Sequence, residues 1–358
     1  MSPTGLGTLL IVVALTLGAG VVTVIGWRRP FLRTPRRALG LASVQVLLAV
    51  SVLVVVNRDS GFFPRWGDLI GNQPGLTTVR ADVRRSTREL PRLLRTEHPP
   101  GGGLLLPWQL AVPGQTRTVR TLVYLPAAYF RNPIRIFPVV ELLSTPPGGP
   151  EVWTRTLRLA QSVAAEIARH RVAPFVALLP AVDANGPLCG SGDVLLTTGV
   201  RLGLAAAFRV RTDARGWAVA GYAQAGACAA TLALEHPDLF AAGASIAGVY
   251  GSSAALHGIT HRHAPDDPFV ALARRPAIDL LLAAARRDLS TYAQLRRLAA
   301  AARAPTTVDT FVLRSGGHGP PVWLAVEPLV LDWLSAEIGP PLAPPLVPAG
   351  NTGGASGT

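Results

Sequence analysis

Two stretches of this chain carry no charged side chain: residues 5–27, 23 in all, and residues 38–56, 19 in all. As helices rising 1.5 Å per residue, each is long enough to cross a hydrocarbon layer about 30 Å thick. Between them, residues 28–37 hold five arginines, Arg28, Arg29, Arg33, Arg36 and Arg37. A short loop this basic stays on the cytoplasmic side of a membrane. The expectation is therefore a two-span hairpin with both chain ends, and everything after residue 56, outside the cytoplasm. A cleaved signal peptide would place its positive charges before the apolar core. Here residues 1–4 carry none and the arginines follow.

That hairpin absorbs part of a hydrophobic content of 49% and a mean hydropathy of +0.34 over 358 residues. The net charge of +13 does not point to nucleic acid. All 34 basic residues are arginine, in a chain rich in Ala, Gly and Pro, as a GC-rich genome produces without any functional demand. No basic run is interleaved with aromatics as strand-stacking proteins require.

Residues 57–104 read as a juxtamembrane connector, opening on Gly61-Phe62-Phe63-Pro64-Arg65-Trp66-Gly67-Asp68 and closing on Pro99-Pro100-Gly101-Gly102-Gly103. Residues 339–358 are rich in Pro, Gly, Ser and Thr without charge, which predicts a disordered tail. Between lies one domain, 105–338. Its strand-like runs fall at 108–112, 119–125, 137–143, 175–179, 217–221, 241–247, 278–284 and 308–313. Helical patterns fall at 151–169, 198–208, 224–235, 292–303 and 322–337. Short connections predict antiparallel pairing for the first three runs. The later alternation of strand and helix predicts an α/β domain with a mostly parallel sheet.

Residues 216–240 are the most informative part. A buried run enters Gly221-Tyr222-Ala223-Gln224-Ala225-Gly226, and a helix follows at once. This is the layout of a nucleophile elbow, in which a tight turn presents one side chain at a helix N-terminus. The backbone N–H groups there favour developing negative charge. Every steric demand of the motif is met, and only the hydroxyl is missing.

The domain resembles the actinobacterial esterases related to mycolyltransferases, which have an α/β-hydrolase fold and an elbow of the form Gly-x-Ser-x-Ala/Gly-Gly. The resemblance extends through Glu235-His236-Pro237-Asp238-Leu239-Phe240, Ala244-Ser245-Ile246-Ala247-Gly248 and Asp183-Ala184-Asn185-Gly186. It continues through Ser315-Gly316-Gly317-His318 with Trp323 beyond, and the segment around Phe62 is similar to that of membrane-anchored members. It implies His318 as the catalytic base, Asp288 as the acid, and Ala223 at the nucleophile position. Gln224, Asp183 and Trp323 are then residues of the pocket. A methyl group cannot attack a carbonyl, so the serine mechanism is closed. Where the family has a His-Gly-rich oxyanion turn, this chain has Ser144-Thr145-Pro146-Pro147-Gly148-Gly149. The two prolines remove two donors, leaving the N–H groups of Thr145 and Gly148 as candidates.

The same residues also admit plainer roles. His318 can be structural, and Asp288 can pair with neighbouring Arg286 or Arg287. His257, His261, His263, Asp266 and Asp267 have no spacing of a closed metal site and read as a solvated loop. Cys189 and Cys228 can form a disulfide in an oxidising compartment or remain two buried thiols. No metal or cofactor is implied. The reading is a membrane-bound, catalytically degenerate hydrolase-like domain with an acyl, glycolipid or envelope-protein partner. Two alternatives stand beside it: an active carboxylic-ester hydrolase or acyltransferase with a displaced nucleophile, and a scaffolding subunit of a membrane complex.

Overall fold

The computed structural model describes residues 5–26, 33–60, 77–78, 103–111, 118–144, 149–181, 195–250, 267–317 and 319–343. Helices α1 (Leu6–Gly26) and α2 (Arg33–Ser60) lie against each other. Thr16 and Ser51 share a hydrogen bond of 3.1 Å, and Gly40 faces Thr23 so closely that an added Cβ would lie 2.8 Å from its Cγ2. Pairing 16 with 51 and 23 with 40 makes the two helices antiparallel. Both contain a segment long and apolar enough to cross a membrane, Leu6–Ile25 and Ala38–Val55. The second helix begins at Arg33 rather than after the arginines, because Pro35 falls in its first turn, where the missing N–H costs no helical bond.

The domain is built on a sheet that has nine strands among the described residues: β1 (Thr77–Thr78), β2 (Leu104–Ala111), β3 (Thr118–Leu125), β4 (Val139–Leu143), β5 (Val176–Pro180), β6 (Trp217–Tyr222), β7 (Ala242–Ile246), β8 (Asp279–Ala285) and β9 (Thr307–Leu313). Their spatial order is β1-β2-β3-β5-β4-β6-β7-β8-β9. From β5 to β9 every neighbouring pair is parallel, and β2 and β3 form an antiparallel flank. The helices are α3 (Ala127–Arg131), α4 (Leu159–Ala168), α5 (Val200–Ala207), α6 (Gln224–Glu235), α7 (Pro268–Ala273), α8 (Leu289–Ala301) and α9 (Pro321–Ile338). Strands β4 to β7 are apolar with few exceptions because both faces are covered. Val139, Leu143 and Val219 join the core under α5 and α6, while Val140, Leu142 and Ala220 join the core under α4 and α9.

Four features depart from the sequence expectation. The run at 137–143 is not antiparallel: β4 sits inside the parallel set, and β3 pairs with β5. Helix α3 and a turn carry the chain past one strand position, so that β4, still running opposite to β3, leaves the place beside β3 to β5. The helix at 151–169 is broken, with a π-helical turn at Val152–Thr156 and left-handed Arg158 ahead of α4. Another π-helical turn, Leu195–Gly199, precedes α5. The ordered chain also continues past 338, because Leu342 exchanges backbone hydrogen bonds of 2.9 and 3.0 Å with Ile136. Residues 344–358, the rest of the expected tail, lie outside the described residues.

Candidate functional site

Strand β6 ends at Tyr222, α6 begins at Gln224, and Ala223 makes the whole turn with φ 56° and ψ −125°. That region is sparsely populated for any L-residue and holds only where the surroundings over-determine it. They do so here. The Ala223 N–H donates to the Ile246 carbonyl at 2.8 Å, and its own carbonyl accepts from Gly226 and Ala227 at 3.0 and 3.3 Å. Gly221 and Gly226 let strand and helix meet. A Cβ on Gly221 would lie 2.0 Å from the Ala225 carbonyl oxygen, and one on Gly226 would lie 3.0 Å from Ser245 Oγ. The result is a half-buried methyl group at the N-terminus of a twelve-residue helix, beside an exposed Gln224.

The neighbouring strand ends complete the site edge. Asp288 follows β8 and accepts a hydrogen bond from the Thr291 N–H at 3.3 Å, capping α8. Burial raises the Tyr222 phenol above its ordinary pKa, and the Asp288 carboxylate, which follows the strand on the other side of β7, pushes it further in the same direction. After β9 the chain turns at Gly316, φ 124°, whose Cβ position lies 3.4 Å from Ala285 Cβ at the end of β8. His318 comes two residues later and lies outside the described residues, as do Thr145, Gly148, Asp183 and Cys189. Of the loop around His318, Gly316 borders the end of β8 that leads into Asp288.

On the other flank, Ser144 follows β4, whose Leu143 is in register with Gly221. Its hydroxyl is buried and has no hydrogen-bond partner among the described residues. The Trp153 indole N–H donates to the Leu143 carbonyl at 2.9 Å, and its ring meets that of Trp323 edge-on at 4.7 Å. Trp323 is fully buried, so it supports the site edge from beneath. One aromatic pair thus ties the start of the 144–149 turn to the start of α9, which follows the His318 loop. Ser245 is also buried, and Tyr250 donates its hydroxyl hydrogen bond to it. Cys228 is disulfide-bonded, and the sequence contains a single other cysteine, Cys189. Asp267 caps α7 through the Phe269 N–H at 3.0 Å; the histidines at 257, 261 and 263 and Asp266 lie outside the described residues. Among the described residues no group of three or more His, Cys, Asp or Glu side chains could hold a metal ion.

Sequence reasoning missed Trp153, Tyr250 and the clamp on Ala223 by Ile246. Tyr222 was readable, being inside the elbow motif. Nothing in the sequence marks Trp153, which acts through a partner 170 residues away.

A strained strand–turn–helix at the carboxyl edge of a mostly parallel sheet, with an acid two strands away, defines an α/β-hydrolase fold. No family model matches the sequence. An uncharacterised protein of Corynebacterium glutamicum is 23% identical over 345 residues, covering 86% of this chain and 78% of that protein. Among solved structures, an S-formylglutathione hydrolase from Agrobacterium tumefaciens matches with a TM-score of 0.53 at 14% identity, over 66% of this chain and 96% of that one. A ferulic acid esterase matches with a TM-score of 0.51 at 17% identity, over 64% and 96%. At these identities the likeness establishes the fold.

Proposed function

We propose that this chain is a membrane-anchored, extracytoplasmic α/β-hydrolase-type domain of the esterase and mycolyltransferase kind that has lost its nucleophile and binds an acyl, glycolipid or protein partner at the cell envelope. The observation that carries this reading is Ala223 at φ 56°. Holding a non-glycine residue there costs on the order of 1–3 kcal/mol. The turn, the small neighbours and the helix N-terminus are all retained around a methyl group that can neither attack nor be acylated. Such an elbow can still seat a carbonyl or carboxylate oxygen against the first N–H groups of α6.

The anchor is supported by the arrangement of the two N-terminal helices. Their exposed side chains are mostly apolar, Leu, Ile, Val and Ala, with Gln45 and Ser43 of α2 the polar ones. Thr16 and Ser51 turn toward the partner helix, and Thr16, Ser43 and Ser51 satisfy the Val12, Leu39 and Leu47 carbonyls. A mostly apolar outside with hydroxyls bonded to backbone carbonyls suits a lipid solvent. With the 28–37 loop cytoplasmic, a cysteine introduced at position 34 stays unlabelled by an impermeant maleimide in intact cells, while one at position 350 is labelled. The reverse pattern would overturn the orientation.

The test of chemistry is a fluorophosphonate probe together with short acyl esters. The unmodified protein takes no label and turns over no ester. Ala223→Ser gains labelling but little turnover, since each missing oxyanion donor costs about 10²–10³ in rate. Ser144 favours one other outcome, an active hydrolase with a displaced nucleophile, because its hydroxyl is buried beside the elbow and has no partner among the described residues. Labelling of the unmodified protein that vanishes in Ser144→Ala would replace the degenerate reading with that one.

A further inference from the structure

A cavity of about 610 Å³ opens at the opposite end of the sheet from the elbow, between α3 and the C-terminal half of α4. It lies beside Ala173 and Pro174, which lead into the amino end of β5, whereas Ala223 follows the carboxyl end of the parallel β6. Its volume is within the range of about 300–1,000 Å³ typical of small-molecule sites. Ala127 and Ala128 from α3 face Ala164 and Ala168, one helical turn apart on α4, so no long side chain fills the slot. The polar groups at the mouth are Arg131 and His170, both exposed. No acidic side chain lines the cavity, and among the described residues Arg131 has no ion pair. The nearby carboxylate, Glu166, is already bridged by Arg169 and Arg171 at 2.6 Å each. His170 is held at φ 57°, a conformation that costs energy for a side-chain-bearing residue, and it lines the cavity.

The geometry points to a binding site for an anionic amphiphile: a single alkyl chain in the alanine-walled slot, with a carboxylate or phosphate head against the Arg131 guanidinium and the His170 ring. An alkyl chain meets walls that are mostly apolar, and an anionic head meets Arg131, which has no ion pair among the described residues and whose guanidinium can bond it in bidentate fashion. The slot also lies beside the start of β2. Gly103, just ahead of β2, has its Cβ position 2.9 Å from the hydroxyl of Tyr124, which lines the cavity. The site is separate from the elbow and does not depend on whether the elbow is catalytic.

The test uses the full chain in phosphatidylcholine nanodiscs. A diazirine-bearing myristate is photolysed and its adducts are mapped by mass spectrometry, with a diazirine-bearing phosphatidylglycerol in a parallel arm. Adducts are expected on peptides covering 124–131 and 164–174. Dodecanoate should compete them away and dodecyltrimethylammonium, equal in chain length but cationic, should not. Ala164→Trp should abolish the adducts by filling the slot. Arg131→Glu, an exposed change that leaves the slot open, should reduce them about fivefold or more. Adducts in the myristate arm alone identify a free acid as occupant, and adducts in the phosphatidylglycerol arm identify a membrane lipid. Adducts in neither arm, adducts scattered over the domain, or equal competition by the cationic amphiphile would overturn the site.

Discussion

Gly221→Ala unfolds the elbow. The added methyl would lie 2.0 Å from the Ala225 carbonyl oxygen, 2.3 Å from its carbonyl carbon and 2.7 Å from the Gly226 nitrogen. All three are backbone atoms in the first turn of α6, so no side chain can swing aside. Relief requires moving α6 away from β6, and α6 packs on the sheet through Ala225, Cys228, Ala229 and Ala233, residues too short to keep contact across a gap. Overpacking a core costs about 1–3 kcal/mol even where side chains can yield. Here the expected loss is above about 3 kcal/mol, read as the urea midpoint of the full chain in detergent. Gly317→Ala is the internal control. Its Cβ position meets nothing within 4 Å, so its midpoint should stay within about 0.5 kcal/mol of the parent. If the two variants unfolded together, the close strand–helix contact at the elbow would not be what holds this turn.

Much of the fold was legible because the central strands announce themselves. Trp217–Tyr222 and Gln224–Glu235 fall within a residue of the sequence expectation, since a buried apolar run, small turn residues and a helical pattern all agree there. The order of strands was less legible. Nothing in 119–143 says that β3 will pair with β5 and leave β4 to its far side, because that choice is made by packing across the whole sheet rather than by the connection itself. Helices α3 and α7, of five and six residues, are too short to show a period.

The site divides in the same way. Ala223 was readable as the turn residue because its glycine neighbours carry a steric pattern that no other function of those residues explains. Asp288 was marked as the acid by the family resemblance alone, since no local pattern sets it apart from other carboxylates. Its placement follows from β8 ending two strands from the elbow, where its charge acts on Tyr222. The support beneath the site was readable only in part, for the resemblance marked Trp323 as a pocket residue and nothing marked Trp153. Trp153 and Trp323 are apolar residues in apolar segments, and only the folded chain brings their rings to 4.7 Å.

Beneath those rings lies a group whose ionisation sets how stability depends on pH. Glu327 on α9 is 2% exposed and accepts a hydrogen bond from Ser162 Oγ on α4 at 2.6 Å. Burial raises its pKa from the ordinary 4.5 to about 8, a rise that the Ser162 bond opposes and the charge of Glu166 reinforces. In the folded state the side chain is therefore neutral at pH 7, and in the unfolded chain it is ionised. A folded pKa above the unfolded one means that the stabilisation is complete below about pH 4.5, falls as pH rises and is gone above about 8. The interval between 4.5 and about 8, at about 1.36 kcal/mol per pKa unit, amounts to on the order of 5 kcal/mol. Glu327→Gln keeps a neutral side chain of nearly the same shape at every pH, with an amide able to bond Ser162. Near pH 4.5 the variant and the parent should unfold within about 1 kcal/mol of each other. Toward pH 9 the variant should become the more stable by a few kcal/mol, with most of the divergence accumulating between pH 5 and 8. Urea unfolding of both proteins across that range gives the difference directly, with the common titrations of Glu166 and the surface groups cancelling between them. A difference that stays flat with pH, or that narrows as pH rises, would show that Glu327 is already ionised in the folded protein.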